Sequence, residues 1–120
     1  MANPNLVNIS SVLAKTTGAA LGTDLTTSLL ANSASSGKVF KINTVIVTNV
    51  DGSNSANVSL EHYDGSNSRR FASTISIPAD TTLIALDKNS AIYLEEGHSI
   101  RGGASASGDL ECIISYEELS

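Results

Sequence analysis

The sequence predicts an all-β fold, an antiparallel β-sandwich of about eight short strands with jelly-roll-like or Ig-like connections. Apolar and polar residues alternate with a period of two in segment after segment, which is typical of strands with one buried face. Turn-forming clusters of Gly, Asn, Asp and Ser separate these segments at about the 8–12-residue spacing of sandwiches. The length of 120 residues suits one hydrophobic core. We therefore treat 1–120 as a single domain.

The strongest strand pattern covers residues 38–50, KVFKINTVIVTNV. Strict alternation divides its apolar side chains into two sets, Phe40, Ile42, Ile46 and Val50 on one face and Val45 and Val47 on the other. A strand that is apolar on both faces is typical of a central position or of a contact surface. Val45 and Val47 are therefore candidate protein-contact residues.

Six further segments carry strand patterns, at 55–63, 70–77, 81–86, 91–94, 98–101 and 109–118. In the first of them, alternation places His62 on the apolar face with Leu60 and Glu61 on the polar face. In the second, Ser73 falls on the apolar face with Phe71. A proline at the end of that segment removes a backbone donor and ends the strand.

The first 30 residues keep no single period. Two strands are predicted there, near 6–15 and 19–30, and a short helix over 24–31 is the alternative to the second. Residues 1–15 are interpreted as an N-terminal docking arm or an edge strand. Its apolar residues Leu6, Val7 and Ile9 are candidate contacts, either with a neighbouring protein or with the chain's own sheet.

Charge and hydropathy exclude two classes of partner. With a net charge of -5 and only 7 Lys and Arg residues, the chain lacks the basic patch that nucleic-acid binding requires. No segment approaches the ~20 apolar residues of a membrane span, and the N-terminus lacks a signal-peptide pattern. We expect synthesis in a cytoplasm. Charged residues form only 16% of the chain, and such a weakly charged surface suits contact with other proteins.

Residues for catalysis are sparse. The bases that titrate near neutral pH are His62 and His98, and the sequence provides no evident partner to orient either one. His98 follows a turn and is expected to be exposed. Cys112 alternates with Leu110 and Ile114, so we expect it to be buried and unreactive. The sequence predicts a protein that is not an enzyme.

Metal and cofactor sites are not predicted. Two histidines and one cysteine without close spacing are not a zinc pattern. Calcium is the alternative for the oxygen-bearing residues on turns, which are Asp51, Asn54, Asp64, Asn67, Glu95 and Glu96. The favoured interpretation is that the two DGSN segments are tight turns, in which Asp or Asn caps the backbone. One strand separates them, so they lie at opposite ends of a sheet.

Four segments carry a family resemblance: SSGKVFKIN, VIVTNVDGSNSANVSLEHYDGS, ASTISIPADTTLIALDKNSAIYLEEGHSIR and GDLECIISYEEL. Together they span roughly residues 36–118, and they resemble small virion structural proteins of tailed bacteriophages, especially phages of marine bacteria and cyanobacteria. His98 departs from the pattern, which is expected to have an acidic residue there. The resemblance implies a β-sandwich subunit on the virion and implies no catalytic residues.

These observations predict a non-enzymatic capsid decoration or cement protein on the virion surface. The expected partners are the major capsid protein and other copies of the chain, as a trimer or dimer, because closed assemblies cover exposed strand edges. The alternative is a tail or fibre module that recognises a host surface glycan. The absence of Trp counts against a glycan site.

Overall fold

A computed structural model of the protein describes residues 4–120. These residues form two antiparallel sheets packed face to face, which confirms the predicted β-sandwich. Two 3₁₀ turns, Leu6–Asn8 and Lys88–Ser90, lie outside the sheets. Within the described residues there are nine strands: β1 Val12–Ala20, β2 Ser28–Ala31, β3 Val39–Asn49, β4 Ala56–Tyr63, β5 Ser68–Ile77, β6 Thr82–Leu86, β7 Ile92–Leu94, β8 Ser99–Ala104 and β9 Leu110–Leu119.

The strand order is that of a jelly roll. The five-stranded sheet runs β1-β9-β3-β6, with β7 also paired to β3, and the four-stranded sheet runs β2-β8-β4-β5. β6 pairs with one half of β3 and β7 with the other, so the two act as one interrupted strand. Apart from β6 to β7, the β4–β5 hairpin is the only connection in residues 4–120 that stays within one sheet. This double Greek-key arrangement distinguishes the jelly roll from the Ig-like alternative.

The core lies between the two sheets. β9 contributes the inward set that alternation predicts, Leu110, Cys112, Ile114 and Tyr116, all buried. From the facing sheet, Leu60 and Ile100 are fully buried. Burial of one such aliphatic side chain stabilises the fold by about 1.5–3 kcal/mol. The core is therefore built from aliphatic side chains brought together by strand periodicity.

A β-bulge in β3 overturns the prediction for Val45 and Val47. The register of β3 against β9 shifts between Ile42 and Thr44, which makes Asn43 an extra residue. A bulge reverses the alternation beyond it. Val45 and Val47 consequently enter the core with Ile42, each with 0% of its surface exposed. The prediction that these two valines contact another protein is wrong, because no partner can reach them.

Bulges also correct the predicted face of β5. The pairing of β5 with β4 shifts on both sides of Leu60, and Thr74 takes a φ of 51°. Ala72 is buried in place of Ser73, which is exposed. Glu61 of β4 keeps its predicted outer face, but only 6% of it is exposed, and Nη1 of the neighbouring Arg101 lies 3.6 Å from its Oε1.

The N-terminal third differs most from the sequence prediction. The strand expected near 6–15 begins only at Val12, as β1, and the second is confined to β2. No α-helix forms over 24–31. The predicted arm spans 1–15, and its residues 1–3 lie outside the described residues. Its last residues form the edge strand that was the alternative to an arm, because β1 is the outermost strand of its sheet.

Buried asparagines hold the turns at the ends of β3. Asn49 is 1% exposed, and its Nδ2 donates to the carbonyl oxygens of Asn54 and Ile77, each at 2.9 Å. Its Oδ1 accepts from the Asp51 N–H. At the other end, Asn32 donates to two backbone carbonyls in the same way. Both side chains satisfy backbone groups that water cannot reach.

Candidate interaction surface

Three isoleucines form a row across the five-stranded sheet, on its outer face, which points away from the core; the central one, Ile46, is half-buried and the other two are exposed. Ile46 of β3 lies opposite Ile84 of β6 on one side and Ile113 of β9 on the other. Directly opposite side chains in a sheet lie about 4.5–5.5 Å apart at Cβ. Ile84 is 62% exposed and Ile113 48% exposed. This isoleucine ladder is a continuous apolar strip on a surface that solvent can reach.

Hydroxyl groups border the isoleucine ladder. On one side Thr48 and Thr82 approach each other at 3.1 Å between their hydroxyl oxygens. On the other side Thr16 and Ser115 approach at 3.4 Å. Gly18 of β1 extends the ladder row without a side chain. The strip is therefore bordered mostly by uncharged hydrogen-bonding groups, with the exposed Glu111 opposite Thr48, a composition that suits protein contact.

The N-terminal segment packs on the same sheet. Pro4, Leu6, Val39 and Tyr93 line, together with Glu95, one surface cavity of about 340 Å³. The N–H groups of Ser10 and Ser11 both donate to the Ser120 carbonyl oxygen. At Ser10 and Ser11 the described part of the predicted arm therefore contacts its own sheet, which was one of the two alternatives.

Two of the three apolar residues of this segment remain open to solvent. Leu6 is 51% exposed and Val7 88% exposed, whereas Ile9 is partly buried. Leu6 and Val7 are thus available for contact with another protein, and that contact remains a prediction. Together with the isoleucine ladder they give this sheet two exposed apolar features.

The histidines, which the sequence left without partners, contact each other. Nε2 of His62 and Nδ1 of His98 are 3.2 Å apart, with the rings edge to face. His98 is held in the loop before β8, and its Nε2 lies 4.0 Å from Glu95 Oε2. The His98 side chain is only 15% exposed, so the prediction that it is exposed is wrong. Burial, and then the neighbouring His98, lower the pKa of His62.

The remaining candidates for chemistry have structural roles. Burial raises the pKa of the Cys112 thiol to about 11, so the thiolate that reacts is scarce. Asp51 accepts from the Ser53 N–H at 2.9 Å, and Asp64 accepts from the N–H groups of the turn that follows it. These backbone hydrogen bonds lower the pKa of both carboxyl groups. The DGSN segments are therefore capped turns, as predicted.

No group of three or more His, Cys, Asp and Glu side chains in residues 4–120 is arranged to hold a metal ion. Asp51 and Asp64, two of the residues of the calcium alternative, lie in turns at opposite ends of β4. Glu96 instead accepts from the Gly37 N–H at 3.2 Å.

A polar cleft lies on the four-stranded sheet. It has a volume of about 180 Å³ and is lined mainly by hydroxyl and amide residues: Thr23, Leu25, Asn57, Ser59, Thr74, Gly103, Ala104 and Ser105. Ser59 Oγ accepts from the Thr74 N–H at 2.9 Å, which holds Thr74 at its positive φ. A β-branched residue in this conformation is strained. This hydrogen bond to Ser59 therefore fixes the position of Thr74 in the wall of the cleft.

Comparison of the sequence with known proteins identifies no family for this chain. No protein-family model matches the chain, and no curated protein matches it. None of the helical turns between residues 4 and 120 has the length and apolar character needed to cross a membrane.

The isoleucine ladder is the feature that strict alternation missed. Ile46 was assigned to the same face as Ile42, but the bulge at Asn43 separates them. The signal was present in the sequence, because the apolar positions of this strand skip from 42 to 45 across the polar pair Asn43 and Thr44. Two consecutive polar residues inside an apolar strand are compatible with a bulge.

Proposed function

We propose that this chain is a non-enzymatic structural protein of a phage virion, a decoration protein that packs on the major capsid lattice. The observation that carries the proposal is the isoleucine ladder, a continuous apolar strip on the outer face of the five-stranded sheet. Exposed apolar strips of this kind mark protein contact sites. We assign the ladder as the surface that faces the capsid.

Three further features support this role. The surface carries few charges, so electrostatic repulsion between closely packed copies is weak. The jelly roll recurs in viral capsid domains, although it also occurs in lectins and enzymes, so the fold alone assigns no function. The resemblance of residues 36–118 to phage virion proteins points to the same class.

Substitutions in the ladder test the proposed contact. Ile84→Lys places a strongly hydrated charge at the most exposed position of the proposed interface, where desolvation is costly. We expect at least a tenfold loss of binding to particles that lack the protein. Ile75→Lys is the matched control, because Ile75 is 36% exposed and lies on β5, in the other sheet. Equal binding by the Ile84→Lys and Ile75→Lys proteins would refute the assignment of the ladder.

Cross-linking mass spectrometry on intact particles tests the location. Lys41 lies on the outer face in register with Glu117 and Tyr93, which places an amine beside the proposed contact. We expect links from Lys41 to the major capsid protein. Links exclusively to tail proteins would refute the decoration role.

The polar cleft favours glycan recognition as a second candidate function. Its hydroxyl and amide groups are the kind that bind sugar hydroxyls, but no aromatic residue lines it. Asn57→Ala would then reduce binding on a glycan array, whereas Ile84→Lys would leave array binding unchanged. If the protein binds no glycan on the array, this second function is refuted.

A further inference from the structure

The free edge of β1 has backbone groups directed into solvent, and three hydrogen bonds establish which ones. Ser11 and Ser120 exchange both N–H to C=O bonds, and at the other end of β1 the Leu21 N–H donates to the Leu110 carbonyl. Hydrogen-bonded and non-bonded pairs alternate along an antiparallel ladder. The odd-numbered residues of β1 therefore bond to β9. The even-numbered residues, Val12, Ala14, Thr16, Gly18 and Ala20, direct their N–H and C=O groups outward.

The β1 edge differs from the other three edges of the sandwich in residues 4–120. β2 has four residues and a register shift, and β6 has five residues and is separated from β7 by a 3₁₀ turn. β5 carries Arg69 and Arg70 and a bulge at Thr74. Short length, charges and bulges all prevent edge pairing. β1 pairs with β9 over nine residues without a register shift.

Charged side chains do not prevent pairing at the β1 edge either. The single charged residue in this strand is Lys15, and its Nζ lies 3.1 Å from Glu118 Oε2 of the same chain. The five residues that direct backbone groups outward all have small or uncharged side chains. A straight edge of this kind is a template for an additional antiparallel strand.

We propose that β1 pairs with β1 of a second copy of this chain, antiparallel and with the two-fold axis at Thr16. In this register Thr16 lies opposite itself, Ala14 opposite Gly18, and Val12 opposite Ala20. In this register the largest outward residue, Val12, lies opposite a small one, and no two bulky side chains are directly opposed. All five outward residues are used, and each of the five opposed pairs exchanges two backbone hydrogen bonds.

The inner face of β1 is equally compatible with this register. Leu13, which is 50% exposed, comes opposite Ala19 and gains an apolar neighbour. Lys15 comes opposite Thr17, so no like charges are directly opposed. The self-complementary pattern identifies a second copy as the occupant, in preference to an unrelated strand.

The pairing has a geometric consequence for the outer face. A two-fold axis through a continued antiparallel sheet is perpendicular to that sheet, so both copies present the same face to the same side. The isoleucine ladders of the two copies would then lie on one side of a single continuous sheet. The dimer would double the apolar area available to a flat partner.

Cysteine cross-linking tests the register. Residues in a hydrogen-bonded antiparallel pair are about 5.5 Å apart at Cα, within the range of a disulfide. We expect Thr16→Cys to form a covalent dimer on mild oxidation. Ala20→Cys should form no disulfide-linked dimer under the same conditions, because its counterpart in the second copy lies about 27 Å along the strand. A mixture of the Val12→Cys and Ala20→Cys proteins should cross-link to each other.

Sedimentation of the uncross-linked protein provides the second measurement. The wild-type chain is expected to sediment as a dimer at micromolar concentration. Thr16→Pro removes an outward N–H but no bond to β9, so it should yield a folded monomer. A monomeric wild-type protein would overturn the proposal, as would a dimer or trimer in which Thr16→Cys fails to cross-link.

The dimer and the proposed particle role can fail separately. A protein that is monomeric in solution but cross-links to the capsid through Lys41 would overturn only the β1 pairing. A dimer linked through Thr16→Cys that binds no capsid would overturn only the decoration role.

Discussion

His62 and His98 form a hydrogen-bonded imidazole pair, with 3.2 Å between His62 Nε2 and His98 Nδ1. The pair joins the end of β4 to the loop that precedes β8. One nitrogen must donate and the other must accept, so at least one ring is neutral. When both rings are protonated, two N–H donors face each other, and the contact becomes repulsive.

Acidification should therefore destabilise the fold. The pKa of His62 is lowered by burial and then by His98, while Asp64 and Glu95 act in the opposite direction. Because the folded state favours neutral His62, this stabilisation is complete above the ordinary pKa of about 6.5. It is lost as pH falls through the lower folded-state pKa. We expect thermal melts to show a Tm lower by a few degrees at about pH 5 than at about pH 7.5.

His62→Gln is the control for this pH effect. It retains a polar side chain but cannot titrate, so the decrease in Tm between the two pH values should be smaller than in the wild-type protein. An identical decrease in both proteins would show that other groups cause the acid sensitivity.

Glu118 is expected to stabilise the end of the sandwich. Its carboxylate is buried and lies 3.1 Å from Lys15 Nζ and 3.0 Å from Lys38 Nζ. Burial raises the pKa of Glu118, but hydrogen bonds from Lys38 and Lys15 outweigh it and lower the pKa overall. We predict that Glu118→Gln lowers the free energy of unfolding by about 1–2 kcal/mol, because both lysines are partly exposed and water weakens each pair.

Denaturant titration at neutral pH measures this loss. The matched control is Glu111→Gln on the same strand, where the side chain is exposed, and a change within about 0.5 kcal/mol is expected. A carboxyl group whose pKa is lowered in the folded state stabilises the fold at pH values above its ordinary pKa. This stabilisation is lost as the pH falls through the lowered pKa. The difference between wild type and Glu118→Gln should therefore vanish at low pH.

Gly102 is required by close packing between β8 and β4. A Cβ atom at this position would lie 2.5 Å from Leu60 Cδ2 and 2.9 Å from the Ser59 carbonyl oxygen. Gly102→Ala should thus destabilise the protein by about 1–3 kcal/mol through overpacking. At Gly22 a Cβ atom meets nothing within 4 Å, so Gly22→Ala should leave the denaturation midpoint nearly unchanged. Similar midpoints for the two variants would contradict the packing explanation.

Cys112 should be unreactive in the folded protein. It is 2% exposed, and its pKa of about 11 leaves little thiolate near neutral pH. We expect an aromatic disulfide reagent to label it completely in denaturant and negligibly without denaturant. Rapid labelling of the native protein would indicate frequent opening of β9 away from the core.

Local features were predictable from the sequence. The period-two pattern identified most of β3 to β9, and the Asp-led turns followed from the tendency of Asp and Asn to cap backbone N–H groups. The burial of Cys112 followed from its place between Leu110 and Ile114. Each of these properties depends on interactions over a few neighbouring residues, so strand propensity and turn chemistry are sufficient to predict them.

Contacts between distant segments were decided by the tertiary structure. The bulge at Asn43 placed Val45 and Val47 in the core and turned Ile46 to the surface, because cross-strand packing with β9 selects the register. The isoleucine ladder also requires β6 and β9 to lie on opposite sides of β3. The histidine pair joins residues 36 positions apart. Strand order and register depend on packing of the whole core, which alternation within one strand does not encode.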